Sequence, residues 1–453
     1  MVRILFSSPF VYPEYPLVRS FIRIRNYPGG IHYYSPNYSM SLTEPARAAS
    51  LAPNSSSLAP SSPAASFPDL VCFAHLHWDF VWQRPQHLLS RFGQQGRVFY
   101  VEDAFYHADD LIEPHMEVKQ RQDVKVLVVH LPARLRGNDD AADQAQNDVL
   151  KQYFAQEHIT QYIFWYYTPM AIGKSQGFQA MLTVYDCMDE LAAFKFAPPA
   201  LREREQELFK RADLVFTGGH TLYEAKSQQH NDAHPFPSSI DKAHFGQARQ
   251  EMPEPADQAG IAHPRIGFFG VVDERLDIEL LRQLADAHPE WQFVVIGPVV
   301  KISYDALPRQ QNIHYLGGKD YQELPAYLHG WDVATLLFAD NESTKFISPT
   351  KTPEYLAAGR PVVSTPIRDV VRPYGDLDLV QIAATADDFG KAIAKALTQT
   401  QDADWRRRTD EYLATISWDQ TWQQMIDLMQ ARLQAKPAKS TEKTDSSPLV
   451  TAS

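Results

Sequence analysis

The sequence predicts an α/β protein with two doubly wound parallel sheets facing a cleft. Three observations predict it. Short apolar, β-branched runs alternate with helical stretches, first from Asp69 and again from Arg265. A Pro-, Ala- and acid-rich stretch, 246–264, separates the two series. The stretch ISPTKTPEYLAAGRPVVST (347–365) reads as loop, short helix, stop and buried strand. Strands alternating with helices give a parallel sheet covered on both faces, and such sheets bind ligands beyond the carboxyl ends of their strands.

In the first series, Leu70–Phe73 opens as a strand. A polar and aromatic loop, AHLHWDFVWQ, leads to a helix that ends at Gly96. Strands follow at Val98–Val101 and Val124–Leu131. Gly137–Gln146 reads as an acidic loop, with the pair Asp139-Asp140 solvated, before an amphipathic helix. Tyr162–Tyr167 and Leu182–Tyr185 are further apolar runs, Leu201–Arg211 is a charged helix, DLVFTGG is a strand, and Thr221–Gln229 is a helix. In the second series the strands are IGFFG, FVVIG, NIHYLG, DVATLLF, PVVST and LVQIA, with helices from Asp277, Leu324 and Asp387. Trp405–Arg432 reads as helical, with Tyr412, Leu413, Trp422, Met425, Ile426 and Met429 as its apolar positions.

Within 347–365, Ser348 is a candidate cap, and Pro349 and Pro353 suit a first turn that needs no N–H. Gly359 closes the helix and Pro361 forbids its continuation. Free N–H groups at that helix start, with Lys351 beside them, make a candidate anion site. Glu354 stands in the first turn, where a carboxylate is favoured and can accept from sugar hydroxyls. A capped helix packed on a strand is the structural alternative for the same residues.

The formal net charge of -12 over 453 residues offers no basic surplus for a nucleic-acid partner. Hydrophobic residues at 44% and charged residues at 22% suit a globular chain. The two cysteines, Cys72 and Cys187, lie in apolar runs, which fits buried thiols of a cytoplasmic protein and is too few for a structural zinc site. No apolar run approaches a membrane span. From about 41 to 68 the composition falls to Ser, Ala, Pro and Leu, and past about 435 to Lys, Ser, Thr and Pro. Both stretches are expected to be disordered, because they lack the apolar surface to offset ordering.

Several stretches in order carry a resemblance: HPFPSSIDKAHF (234–245), RIGFFGVVDERLD (265–277), QFVVIGP, IHYLGGKDYQELPAYLHGWDVATLLF, SPTKTPEYLAAGRPVVST and WDQTWQQM (418–425). Together they resemble the GT-B fold glycosyltransferases that use nucleotide-sugar donors. FAHLHWDFVWQRPQHLLSRF, VYDCMDELAAF and RADLVFTGG resemble a bacterial subgroup implicated in cell-envelope polysaccharides. The resemblance spans roughly 69–433. It implies two Rossmann-like domains, with an acceptor domain at 69–245, a linker at 246–264, a donor domain at 265–415 and a helix crossing back at 416–433. By composition, residues 1–68 are expected to be a mostly disordered extension and 434–453 a disordered tail.

It also implies a metal-independent, retaining hexosyltransferase with no cofactor. The donor is a nucleotide-sugar, with UDP the commonest base, and the acceptor a glycan or lipid-linked glycan. No nucleic acid is expected, peripheral contact at the inner membrane face is a further expectation, and the oligomeric state stays open. Arg275 falls where the family carries its phosphate-loop lysine, while Val271 stands where an arginine usually follows the glycine, here Gly270. Glu354 matches the second glutamate of the family's Glu-x7-Glu motif, the one that holds ribose. The first falls at Phe346, and Asp340 and Glu342 are the nearest carboxylates. Donor and phosphate candidates are therefore Gly270, Arg275, Ser348, Thr350, Lys351 and Glu354.

A departing diphosphate needs positive charge and aimed donors, whereas an attacking hydroxyl needs a base within hydrogen-bond reach. For the base, Asp186 ranks first and Asp189 second, with His87 a further candidate. Asp189 also suits a helix cap. On the acceptor side the candidates are His77, Asp79, Gln83, Arg84, Gly218 and Gly219. Each histidine also suits a solvated or capping role, and Trp78, Phe80 and Trp82 suit either sugar stacking or core cover. Asp376-Leu377-Asp378 looks like the metal motif of another glycosyltransferase fold but reads better as a strand start. An epimerase on the same fold, and a sugar-nucleotide binder without catalysis, are the competing functions. Deleting residues 1–68 should leave folding and activity intact; an insoluble product on expression would refute that.

Overall fold

Runs such as Val98–Val101 and Val124–Leu131 become strands because β-branched and aromatic side chains pack well on a pleated surface. The computed structural model describes residues 67–108 and 112–436, and all of them belong to one compact unit. The expected disorder of 1–68 and 434–453 lies almost wholly outside these residues.

The first sheet is built from β1 (Asp69–Phe73), β2 (Val98–Val101), β3 (Phe105–Tyr106), β4 (His115–Arg121), β5 (Val124–Leu131), β6 (Tyr162–Tyr166), β7 (Leu182–Cys187), β8 (Leu214–Thr217) and β9 (Ala233–Pro235). Its order is β3-β5-β2-β1-β6-β7-β8-β9, all parallel, with β4 antiparallel on β5. The second sheet holds β10 (Arg265–Phe269), β11 (Gln292–Ile296), β12 (Ile313–Gly317), β13 (Val333–Leu336), β14 (Val362–Ser364) and β15 (Val380–Ile382), in the parallel order β12-β11-β10-β13-β14-β15. Strand order reverses at β1/β6 in one sheet and at β10/β13 in the other, which marks two crevices.

Helices cover both faces. On the first sheet lie α1 (Arg84–Gly93), α2 (Asp139–Gln156), α3 (Leu201–Arg211) and α4 (His220–Lys226). The chain leaves through α5 (Lys242–Gly246), and the second sheet carries α6 (Ile278–Ala287), α7 (Leu324–His329), α8 (Lys351–Ala357), α9 (Arg368–Val370), α10 (Ala386–Gln399) and α11 (Ala403–Leu413). The last helix, α12 (Trp418–Ala435), buries Trp418, Met425, Ile426 and Met429 in the core of the first sheet, beside Leu88 and Phe92 of α1. Cys72 and Cys187 are buried free thiols.

Four local expectations change. Asp139 and Asp140 are not solvated loop but the first turn of α2, capped by Asn138, whose side chain accepts from the Ala141 N–H at 3.2 Å. Acids are favoured there by the helix dipole. The stretch 405–432 breaks after Leu413, and Ser417 caps α12 through the Gln420 N–H. Asp376-Leu377-Asp378 forms the turn before β15 and does not start the strand; Asp378 lies near Lys395 and Arg408. Ser348 does not cap α8: Thr350 occupies the cap position without a side-chain bond, and the Ser348 carbonyl accepts from Ser238 Oγ at 2.7 Å.

The stop after α8 is as expected. Gly359 has φ +73°, the Arg360 N–H bonds Tyr355 O at 3.0 Å, and the Gly359 N–H bonds Leu356 O at 2.9 Å. That pattern is a Schellman ending, which turns the chain directly into β14.

One buried ion pair fixes the mouth of the first crevice. Arg84, at the start of α1, donates to both oxygens of Asp186 near the end of β7, at 2.9 and 2.8 Å, and to the Phe236 carbonyl at 2.8 Å. Both side chains are almost fully buried. Arg84→Met should destabilise the fold by about 3–5 kcal/mol, because it strands a buried carboxylate. Gly359→Ala should cost about 1–2 kcal/mol, the price of left-handed backbone for an L-residue. Urea midpoints of the two variants would check both values.

Candidate active site

Loops after β1, β7 and β8 meet loops after β10 and β13 around a cavity of about 110 Å³. The first sheet contributes Gln83, Arg84, Met188, Asp189 and Gly218 to its lining. The second contributes Val271, Arg275, Ser348, Thr350 and Lys351. These loops sit where strand ends at a topological switch place ligands.

Lys351 is the first residue of α8, and its stem crosses Gly270. Gly270 has φ +143°, and a Cβ there would stand 2.1 Å from Lys351 Cε. Only glycine lets the lysine lie across this loop. Lys351 makes no ion pair with the described residues other than through space. Burial and the Arg275 charge lower its amine below the usual lysine range. Glu354, in the same turn, is 8% exposed. Burial pushes its carboxyl up to about 7, against the pull of Lys351. It does not line the cavity.

Arg275 reaches the cavity with its guanidinium already engaged. Its Nε donates to Asp273 Oδ1 at 3.0 Å and its Nη2 to Asp273 Oδ2 at 2.8 Å. It also lies over the Phe194 ring, 5.4 Å from the centroid. Arg275 and Lys351 therefore face the same cavity, and each carries a nearby carboxylate.

The carboxylates of the loop after β7 separate by environment. Asp186 ranked first as base, yet its two oxygens both accept from Arg84 and it is 0% exposed. It cannot reach an acceptor hydroxyl, and its place is structural. Asp189 lines the cavity. Burial raises its carboxyl to about 6, while Arg275, Lys301 and Lys351 each pull it down. A carboxyl near 6 can hold or release a proton close to neutral pH. Glu190, next in sequence, is tied down by Lys226 at 2.8 Å.

The histidine expectations also change. His87 is buried, stacks on Trp418 with centroids 4.7 Å apart, and accepts from Trp82 Nε1 at 3.4 Å. Burial drops its imidazole to about 3, so it is a neutral core residue and not a base. His77 bonds Glu102 at 2.9 Å, and Asp79 pairs with Arg121 at the surface, both away from the lining. Trp78 is core and Phe80 is exposed. Gly219 lies outside the lining: its Cβ would meet Asp369 Oδ2 at 2.2 Å.

Direct contacts join the sheets beside the cavity. Asp369, from α9, accepts from the His220 N–H at 2.8 Å and the Thr221 N–H at 3.0 Å at the start of α4. Ser238, Phe268, Phe338, Ile347 and Pro349 complete the lining; each lies in a stretch that the sequence marks, but none carries a charge that singles it out. Among the described residues no cluster of His, Cys, Asp or Glu is arranged to hold a metal ion, and no helix is long and apolar enough to cross a membrane.

Comparison with known proteins agrees with this architecture. Residues 263–399 match the family described as Glycosyl transferases group 1. A putative teichuronic acid biosynthesis glycosyltransferase, TuaH, of Bacillus subtilis is 24% identical over 268 residues. That match covers 54% of this chain and 65% of the relative's length. Among solved structures, sucrose-phosphate synthase from Thermosynechococcus elongatus superposes with a TM-score of 0.60 at 14% identity, covering 82% of this chain and 100% of that one. A trehalose-6-phosphate structure from E. coli bound with UDP-2-fluoro glucose gives 0.60 at 11% identity, with the same coverage. The catalytic domain of starch synthase IV from Arabidopsis thaliana, bound to ADP and acarbose, gives 0.59 at 9%, again with 82% and 100% covered. At such identities the structural likeness shows the shared fold. Residues 263–399 thus match the group 1 glycosyl transferases, and the chain as a whole shares its fold with these solved structures.

Proposed function

We propose that the protein transfers a sugar from a nucleoside-diphosphate-sugar to a hydroxyl of a glycan or lipid-linked glycan. The observation that carries this reading is the meeting of Lys351, Arg275 and Asp189 around one cavity between the two sheets. In the reaction the bond between the anomeric carbon and the diphosphate oxygen breaks, and its electron pair leaves with the diphosphate. The acceptor oxygen bonds the anomeric carbon, and its proton goes to a base. Lys351 and Arg275 are placed to stabilise the growing negative charge in a poorly hydrated site. In this reading Asp189 takes the proton, and the resemblance gives Glu354 the donor's ribose. Retention at the anomeric carbon and a UDP donor follow from the resemblance, and NMR of the product anomer tests the first. A role in cell-envelope polysaccharide is supported by the name of the Bacillus relative.

A second reading, a sugar-nucleotide binder without turnover, is favoured by Phe346. It packs against the core of the first sheet, where the family motif places a glutamate. Incubation with donor and acceptor separates the two: release of nucleoside diphosphate supports transfer, and donor binding without release supports the second reading.

Lys351→Met should weaken donor binding on the order of tenfold to a hundredfold, the worth of one charge-assisted contact. Unchanged affinity by calorimetry would remove Lys351 from the site. Turnover should rise as pH climbs through about 6, because the base must lose its proton before it can accept one. Asp189→Asn should abolish that limb of the pH profile.

A further inference from the structure

We propose that Lys226 is a positioning residue for Asp189, acting from the end of α4 through Glu190, the next residue of the same loop. This deepens the transfer reading and rests on it, since it presupposes that Asp189 takes the acceptor's proton. That task needs the carboxylate within hydrogen-bond reach of a hydroxyl, and a misplacement of about 1 Å costs on the order of a hundredfold in rate. Among the described residues no hydrogen bond reaches the Asp189 carboxyl itself. Its place is therefore set by the backbone that carries it.

That backbone is held at two consecutive residues. The Asp189 carbonyl accepts from the Leu191 N–H at 3.0 Å and from Cys187 Sγ at 3.5 Å. The Glu190 carboxylate meets Lys226 Nζ at 2.8 Å. Lys226 is the last residue of α4, and its side chain is 2% exposed. It donates to both oxygens of Glu205 in α3, at 2.8 and 2.9 Å, and Glu205 also accepts from the Tyr185 hydroxyl at 2.8 Å. Burial alone would lower the Lys226 amine, yet Cys187, Glu205 and the bonds to Glu190 and Glu205 hold it above the usual lysine range. A buried ammonium cannot exchange a lost partner for water without a large penalty, so the knot is stiff. Glu205 alone neutralises Lys226. The bond to Glu190 is surplus to charge balance, and what it adds is a fixed distance between α4 and the loop of Asp189.

The other parts of α4 are held from the second half of the molecule. Asp369 accepts from the His220 and Thr221 N–H groups at its start, and Arg368 donates to both oxygens of Glu224 at 2.6 Å. The helix has seven residues, so its ends stand about 10 Å apart. One short, rigid element thus joins the half that carries Lys351 to the loop that carries Asp189, and Lys226 is its final link.

The test is slow donor hydrolysis by the full chain, in which water stands in for the acceptor and gives its proton to the same base. UDP-glucose, UDP-galactose, UDP-N-acetylglucosamine, ADP-glucose and GDP-mannose serve as probes, with released nucleoside diphosphate as the signal. Glu190→Ala should lower kcat about tenfold to a hundredfold, while KM for the donor changes less than about twofold. Glu190→Gln, whose amide oxygen can still accept from Lys226, should recover most of the loss. Both variants should melt close to the unaltered protein, because Glu205 still pairs with Lys226. An unchanged kcat in Glu190→Ala overturns the proposal and leaves the transfer reading standing. A kcat that falls in step with the melting temperature assigns Glu190 a structural role and also overturns it. Equal losses in the two variants place the effect in the charge of Glu190, not in its hold on the loop, and overturn it as well. If the unaltered protein releases nucleotide from none of the donors, the transfer reading falls and the positioning role falls with it.

Discussion

The architecture of the crevice depends on the bond between Arg84 and Asp186. Each is an expensive group to bury alone, and each becomes affordable only in the other's company. Their two-point contact joins the start of α1 to the end of β7, while the third donor of Arg84 reaches the carbonyl of Phe236. Three segments that are far apart in sequence are thereby fixed at one edge of the first sheet. The loop that carries Asp189 begins directly after this point, so the pair also sets where that loop leaves the sheet.

Around the cavity, charges come in near-balanced pairs. Arg275 is matched by Asp273, Lys301 by Glu274, and Lys351 acts through space on Glu354. Such pairing keeps cations folded into a dry site without a bound anion. It also grades them: Arg275 is held by short, aligned bonds, whereas Lys351 has its amine lowered by burial and by the neighbouring guanidinium. A cation that is costly to keep charged gains most from an arriving anion.

Much of the fold was legible in the sequence because parallel strands are buried on both faces and so appear as unbroken apolar runs. Val98–Val101 and Val124–Leu131 begin and end where those runs do. β4 was not legible, since none of its residues is fully buried and Glu117, Lys119 and Arg121 break up its apolar content. Of the candidates, Arg275, Lys351 and Asp189 line the cavity, and each follows a strand end or opens a helix. Asp186 was misjudged because the partner that consumes it is 102 residues away. His87 was misjudged for a like reason: its ring is covered by Trp418, from the far end of the chain. Lys301 carries no local pattern, and only the folded chain brings it to the ring of Phe194.

The carboxylate of Asp369 closes the first turn of a helix that belongs to the other sheet. Helix starts normally find that partner within their own few residues. Here the cap is borrowed, so pulling the halves apart at this point would expose unmet N–H groups and a desolvated acid at once. One carboxylate from the second sheet thus completes a helix of the first, and the two cannot part here without stripping that helix of its cap.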